Sequence, residues 1–344
     1  LIFGLFENIK EFFGTVKEFS GTASMGTYYC DLHQITKPFP GAVLTIGNFD
    51  GIHLGHQALF RKVIERAQAI HGTSVAVTFH PHPMTVLRPG RPFRQIVSDE
   101  RKVDLIFRHG VDVVLSIPFT QEFARIPARE FVEEILVQKV GMKEIVVGYD
   151  YTFGRKREGD IRLLQDMGEK LGFTVHIHPP VTVGNHLVSS TRVRELVTTG
   201  AMEEAKLILG RPFSLTGTIV PGKGIGRSLL GFPTANLNPN EQLIPQRGVY
   251  VVRVESPQGL FYGVTNVGFN PTFADGKVIN IETFLFDFNN DLYGKNIKVF
   301  FLKRLRGEKT FSGPEALKEQ IARDIEQAKA WLKEEAPNNH SLYY

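Results

Sequence analysis

The stretch Leu44 to His56, L-T-I-G-N-F-D-G-I-H-L-G-H, decides how the first half of this chain folds. An apolar run reaching Ile46 reads as a buried parallel strand. Gly47, Asn48, Asp50 and Gly51, with Phe49 among them, then make a tight turn into a helix. His53 and His56 fall three residues apart on one face of that helix, and Gly55 removes a side chain that would keep a ligand off the backbone. The unpaired N–H groups and positive dipole end of a helix start favour an anion. Two imidazole donors beside them make a phosphate site.

Outward from this turn, strand and helix patterns alternate. A helix runs to about His71, and Ser74 to Phe79 is a second buried strand that ends in His80-Pro81-His82-Pro83. The prolines stop the strand and leave the imidazoles at its carboxyl end, the side on which open α/β sheets bind ligands. Convergence of His53, His56, His80 and His82 on a metal is the rival use of these residues, but no acidic or thiolate ligand completes a familiar spacing. Val97 to His109 reads as a helix, Val111 to Ile117 as a strand, Pro127 to Lys139 as a helix and Glu144 to Gly148 as a strand. That last strand runs into Tyr149-Asp150-Tyr151-Thr152-Phe153-Gly154-Arg155, either an exposed turn or a place to stack a flat ring beside a phosphate. A helix from Gly159 to about Gly172 and a strand from Thr174 to His178 complete the alternation of a doubly wound parallel sheet. Ser189, Ser190 and Thr191 then precede a helix expected to continue from Arg194 to Leu209. They are N-caps by default, or a second phosphate element with Arg194 one turn inside.

From Arg211 the pattern changes to short β-rich runs separated by glycine, which read as antiparallel strands closed into a small barrel. Between the first two strands lies Pro221-Gly222-Lys223-Gly224-Ile225-Gly226-Arg227, a mobile hairpin or a loop that wraps phosphate through backbone N–H groups. Thr234 and Asn236 put two oxygen ligands on one side of an extended segment, a set suited to Mg²⁺ carrying nucleotide phosphates. Glu282 is an isolated carboxylate in an apolar strand, either solvated or a pocket-facing base. Leu317, Ile321, Ile325, Ala328 and Leu332 line one face of a terminal helix that packs on the barrel.

At 344 residues and 42% hydrophobic, the chain has room for two cores. A formal charge of +4, spread without a basic run or interleaved aromatic stripe, suits anionic small ligands and argues against nucleic acid. Cys30 is the only cysteine, which excludes an internal disulfide and points to a reducing, cytoplasmic setting. The first 24 residues carry apolar side chains near helical spacing, but charges interrupt them too often for a membrane span. They read as an extension upstream of a natural start at Met25, or as an amphipathic surface helix. A monomer or weak homo-oligomer, with no membrane partner, is expected.

The His-x-Gly-His turn after a strand resembles the nucleotidyltransferase superfamily. The combination G-N-F-D-G-I-H-L-G-H, F-H-P-H-P, G-Y-D-Y-T-F-G and S-S-T-R-V-R resembles the adenylyltransferase half of the bacterial bifunctional riboflavin kinase/FMN adenylyltransferases. G-K-G-I-G-R, G-F-P-T-A-N and E-T-F-L-F-D-F resemble their riboflavin kinase half. One departure is visible, since that family usually carries an acidic residue where His80 stands. The His-x-Gly-His turn also occurs in class I aminoacyl-tRNA synthetases, but the Lys-Met-Ser-Lys-Ser partner is missing. The resemblance implies an α/β plus β architecture: a Rossmann-like nucleotidyltransferase domain over residues 25–210 and a riboflavin kinase barrel over 211–344. It implies phosphorylation of riboflavin to FMN by ATP and Mg²⁺, with Glu282 as base, Thr234 and Asn236 on the metal, and Lys223 with its neighbouring glycines and Arg227 on phosphate. It further implies adenylyl transfer from ATP to FMN, giving FAD and pyrophosphate. There His53, His56 and Arg194 stabilise charge, and Gly47 to Asp50, Gly55 and Ser189 to Thr191 hold ATP. His82, Pro83, Asp150, Tyr151, Phe153 and Gly154 lie on the flavin side. The rivals are a non-catalytic flavin carrier and an oligonucleotide-binding barrel, the latter with salt-dependent binding.

Overall fold

The computed structural model of the protein describes residues 16–20, 25–221, 234–271, 277–288 and 290–335. The chain divides into two compact units, with the break between Ser190 and Thr191. The strands of the first are β1 (Lys17–Ser20), β2 (Met25–Tyr29), β3 (Ala42–Ile46), β4 (Ser74–His80), β5 (Val113–Pro118), β6 (Met142–Gly148) and β7 (Thr174–His178). They lie in one sheet in the order β1-β2-β5-β4-β3-β6-β7. Strands β2 to β7 are parallel, and β1 alone runs antiparallel, on the edge of β2. Lys17–Ser20 is thus strand, not the helix that the spacing of the first residues allows, because an open sheet edge offers it a row of backbone partners. Residues 1–15 and 21–24 lie outside the described ones.

The parallel strands are apolar on both faces because each face meets a different layer. Leu44, Ile46, Ile145 and Val147 join a core with Phe131, Leu136, Leu164 and Met167. The alternate residues Val43 and Val146 pack on Val63 and Ala67 of α1 (Leu54–Ala69). Two further helices follow, α2 (Pro83–Leu87) and α3 (Asp99–Arg108), the latter capped by Ser98, whose hydroxyl accepts the Arg101 N–H. The segment expected as an α-helix from Pro127 makes one α turn, Ala128–Glu130, and continues as a π-helix, Phe131–Val140. Its buried residues are Phe131, Val132, Leu136 and Val140, and the Gly141 N–H reaches back five residues to the Leu136 carbonyl, the bond of the wider turn. Helix α4 (Ile161–Leu171) has Asp160 as N-cap and left-handed Gly172 as C-cap. A small hairpin, β8 (Thr182–Val183) with β9 (His186–Leu187), ends the unit.

This strand order puts β3 between β4 and β6, so the chain reverses its direction of travel across the sheet there. The crevice beyond the carboxyl ends of β3 and β6 is where such sheets take ligands. The turn at Gly47 and the loop at Tyr149 both leave from it.

Helix α5 (Ser190–Thr199) crosses the break between the units, and α6 (Met202–Leu209) follows. The single helix expected from Arg194 to Leu209 is therefore two. Gly200 takes φ 78°, the Ala201 N–H returns to the Leu196 carbonyl, and the helix stops. In the second unit β10 (Phe213–Val220), β11 (Thr234–Asn238), β12 (Gly248–Ser256), β13 (Gly259–Pro271), β14 (Lys277–Leu285) and β15 (Asn296–Arg306) close an antiparallel barrel in the order β10-β11-β14-β13-β12-β15. Closure pairs each of these six strands with a neighbour on either side. The outward residues Val249, Val251, Val264, Phe300 and Leu302 are covered by Ile325 and Ala328 of the terminal helix α7 (Pro314–Glu335). Asp324 on that helix is buried too, and Arg306 of β15 grips it with two parallel bonds of 2.9 and 2.7 Å.

Candidate functional site

In the first unit the turn after β3 is held by its own residues. Asp50 is buried. Its Oδ1 accepts the Ile96 N–H at 2.8 Å, and its carbonyl accepts the Ser190 hydroxyl at 2.8 Å. One aspartate thus fastens the turn to the segment before α3 and to the start of α5. Phe49 and Ile52 are buried at φ 46° and 44°, a backbone region costing on the order of 1–3 kcal/mol per residue. Such strain persists only where surrounding packing imposes it.

His53 is the N-cap of α1, with Nδ1 accepting the His56 N–H at 3.3 Å. An accepting Nδ1 leaves the ring proton on Nε2. The two imidazoles stack at 3.6 Å with planes 20° apart, and Phe49 meets His56 edge-on at 5.2 Å. A Cβ on Gly55 would approach the His53 ring at 3.1 Å. This glycine accordingly makes room for the cap histidine as well as leaving the backbone open. Gly47 is required in the same way, since a Cβ there would lie 2.9 Å from the Phe49 ring. Asn48 accepts the Thr78 hydroxyl with its carbonyl at 3.4 Å. Ser189 stands just before α5, while Thr191 and Arg194 lie on its opening turns.

The segment after β4 places His82 as N-cap of α2, with Nδ1 accepting the Met84 N–H at 3.1 Å and its ring stacked on Phe93 at 4.2 Å. Pro83 opens that helix. The loop after β6 offers its three aromatic rings unequally. Tyr149 is exposed, Tyr151 is half-buried, and Phe153 is a core residue stacked beneath Tyr151 at 5.4 Å. Phe153 therefore supports the loop from below instead of offering a free face. Asp150 is exposed, and Gly154 takes φ 72° with Ala128 so close that a Cβ would lie 2.6 Å from its Cα.

In the barrel, Glu282 of β14 sits directly across from Asn236 of β11 and Asn266 of β13. Opposed residues of paired strands point to one face, so the carboxylate and the two amides share a surface. Asn280 donates to Glu282 Oε1 at 2.8 Å, and Asn236 is buried. Thr234 pairs with Phe284, two residues along the same ladder. Asn266 and Asn280 were not singled out from sequence, because an asparagine in an unrecognised ladder carries no signal of its own. Gly222, Lys223, Gly224, Gly226 and Arg227 lie outside the described residues. Among the described residues no group of three or more His, Cys, Asp or Glu side chains converges as a metal set. A site of amide and hydroxyl oxygens completed by nucleotide phosphates is of a different kind.

Comparison with known proteins assigns the two units separately. Residues 36–192 match the family model described as FAD synthetase, and residues 209–332 match that described as riboflavin kinase. A bifunctional riboflavin kinase/FMN adenylyltransferase from Pseudomonas fluorescens is 39% identical over 311 residues, covering 90% of this chain and 98% of that protein. The protein of that name from Escherichia coli (strain K12) is 37% identical, covering 85% of this chain and 94% of its own length. A crystal structure described as a macrolide-efflux protein from Streptococcus pneumoniae superposes with TM-score 0.80 at 34% identity, covering 88% of this chain and 98% of that one. Among the described residues of this chain no helix is long and apolar enough to cross a membrane. By identity and coverage, the chain belongs to the bifunctional riboflavin kinase/FMN adenylyltransferase family.

Proposed function

We infer that this chain makes flavin coenzymes in two steps. It phosphorylates riboflavin to FMN with ATP, then transfers an adenylyl group from a second ATP to FMN, giving FAD and pyrophosphate. The observation that carries this is the division of the chain. Two family matches, 36–192 and 209–332, each enclose one cluster of chemically apt residues.

In the barrel, Glu282 takes the proton of the terminal ribityl hydroxyl as that oxygen attacks the γ-phosphorus of ATP and ADP leaves. Asn280 orients the carboxylate through the 2.8 Å bond to Oε1. Thr234 and Asn236, residue types with oxygen donors, would hold Mg²⁺, a hard cation that binds through few protein oxygens and the substrate's phosphates. When bound, it neutralises charge on the β- and γ-phosphates. Lys223 and Arg227 supply positive charge, and Gly222, Gly224 and Gly226 backbone N–H groups, to those phosphates.

In the first unit, the phosphate of FMN attacks the α-phosphorus of ATP. No base is needed, because the nucleophile is already an anion. His53 and His56 stabilise the charge that develops on the α-phosphate and the leaving pyrophosphate, while Ser189 and Ser190 position the triphosphate. His82, Pro83, Asp150, Tyr151 and Gly154 border the flavin, with Phe153 as the support under Tyr151. An enzyme that consumes ATP twice and whose single cysteine, Cys30, excludes an internal disulfide belongs in the cytoplasm.

Labelled ATP tests the assignment. With riboflavin as substrate, label in the γ-phosphate enters FMN and FAD, whereas label in the α-phosphate enters FAD alone. Label from the α-phosphate in FMN, or no transfer at all, contradicts it.

A further inference from the structure

The barrel carries a cavity to which the two-step chemistry above gives no task. It lies where the start of β13 and the end of β14 meet the last turns of α7, and its volume is about 450 Å³, within the range that encloses a small molecule. Leu260, Tyr262 and Phe286 give it apolar walls, and Lys329, Lys333 and Asp287 bring charge to them. Leu260 stays 44% exposed, so that wall is open to an incoming ring. The Phe286 N–H donates to the Tyr262 carbonyl at 2.8 Å and ties the two aromatic positions together. Glu282 lies four residues before Phe286, roughly 13 Å along an extended chain, and its own partner Asn280 lies the other way. The cavity is therefore distinct from the surface that bears the catalytic carboxylate.

Its electrostatics favour an anion. Lys329 and Lys333 stand about one helical turn apart on α7 and so share a face, and among the described residues neither enters an ion pair. Lys329 Nζ lies over the Phe286 ring at 5.6 Å, a contact that draws the ammonium to the cavity wall. Arg253, directly across the ladder from Tyr262 and on the same face, is 2% exposed. Its Nε has no hydrogen-bond partner among the described residues. The carboxylate it pairs with, Glu255, is 3.8 Å away and shared with Lys298 at 3.1 Å. A buried guanidinium so loosely balanced leaves positive charge beside the tyrosine. Against these cations the cavity itself sets one exposed carboxylate, Asp287.

Apolar, partly aromatic walls and surplus positive charge together specify a planar ring that carries an anionic group. FMN, which this chain makes and consumes, combines the two. We propose that this cavity is a third flavin site, outside both active sites, that holds FMN by its ring against Leu260 and Tyr262 and by its phosphate against Lys329 and Lys333. The proposal rests on reading the barrel as the riboflavin kinase, because that activity supplies the FMN. Riboflavin has the same ring without the charge, so the site takes the product of the first step and rejects its substrate. FMN held there stays with the enzyme while the kinase site is free for the next riboflavin.

Equilibrium dialysis of FMN against the full chain, without ATP, tests this. Wild type binds one more FMN per chain at saturation than Lys329→Gln/Lys333→Gln, in which affinity at that site falls about tenfold or more for each charge lost. Lys329→Arg/Lys333→Arg keeps the extra FMN. Riboflavin, dialysed in the same way, binds in equal number to wild type and to the glutamine variant. Initial rates of both reactions are the same in all three proteins, since neither lysine belongs to an active site. An equal FMN count in wild type and the glutamine variant overturns the proposal, as does a riboflavin count or a reaction rate that falls with the charges. A wild-type protein that makes no FMN from riboflavin and ATP removes the reading on which the proposal rests, and the proposal with it.

Discussion

Asp50 shows how much a single residue does in the turn after β3. Its carboxylate and its carbonyl fasten two separate segments, and the strained backbone at Phe49 and Ile52 depends on both anchors. Asp50→Ala leaves the Ile96 N–H without its acceptor in a buried place. That should destabilise the first unit by about 1–3 kcal/mol, read by denaturant unfolding, and slow FAD formation without slowing FMN formation. The histidines, glycines and Ser190 of this turn were legible in the sequence because their spacing after an apolar strand is distinctive. The partner of Asp50 was not, since Ile96 contributes only a backbone N–H, which any residue supplies. His80 was legible as an oddity at a strand end. Its partner Asp99, 2.7 Å away and also paired with Lys102, was hidden in an ordinary amphipathic helix, where Asp and Lys three apart read as a solvated pair.

Among the elements, the strands of the parallel sheet were read well, because burial on both faces gives continuous apolar runs. The departures have local causes. The π-helix Phe131–Val140 was expected as α, since a few apolar residues cannot distinguish periods so close together. Gly200 divides a helix that polarity alone would join: its φ of 78° disfavours a side chain there, and so do the nearby Arg304 and Gln246 side chains, which are absent from any local pattern. The face of α7 was predicted from its apolar residues, yet its most buried polar member, Asp324, belongs to a pair that only the barrel reveals. Asp324→Ala strands the Arg306 guanidinium in a nearly closed site. It should cost about 3–5 kcal/mol, the usual range for breaking one side of a buried pair. The check is thermal unfolding followed together with the two activities: FMN formation is lost at lower temperature, while conversion of supplied FMN to FAD keeps its wild-type profile.

For the whole molecule, acid sensitivity should be concentrated in the first unit. Glu144 accepts Arg66 through two bonds of 2.8 Å and His176 through one of 2.7 Å. The Arg66 bonds lead in holding its carboxyl below the ordinary glutamate value of 4.5. A carboxyl depressed in the folded state adds stability that is fully present above its unfolded pKa and disappears as pH falls through the folded one. Glu144→Gln should therefore be less stable than wild type at neutral pH. The gap should close as pH falls below the usual carboxylate range, as denaturant midpoints at several pH values will show; a gap that stays constant contradicts this.

The account's central claim is that one polypeptide carries two separate ATP-using sites. The most direct measurement is chromatography of the products from riboflavin, ATP and Mg²⁺, comparing wild type with Glu282→Ala and His56→Ala. Glu282→Ala should form FMN from riboflavin at least about a hundredfold more slowly yet convert supplied FMN to FAD normally, and His56→Ala should accumulate FMN. If each folded variant loses both activities together, or neither, the two-site account is wrong.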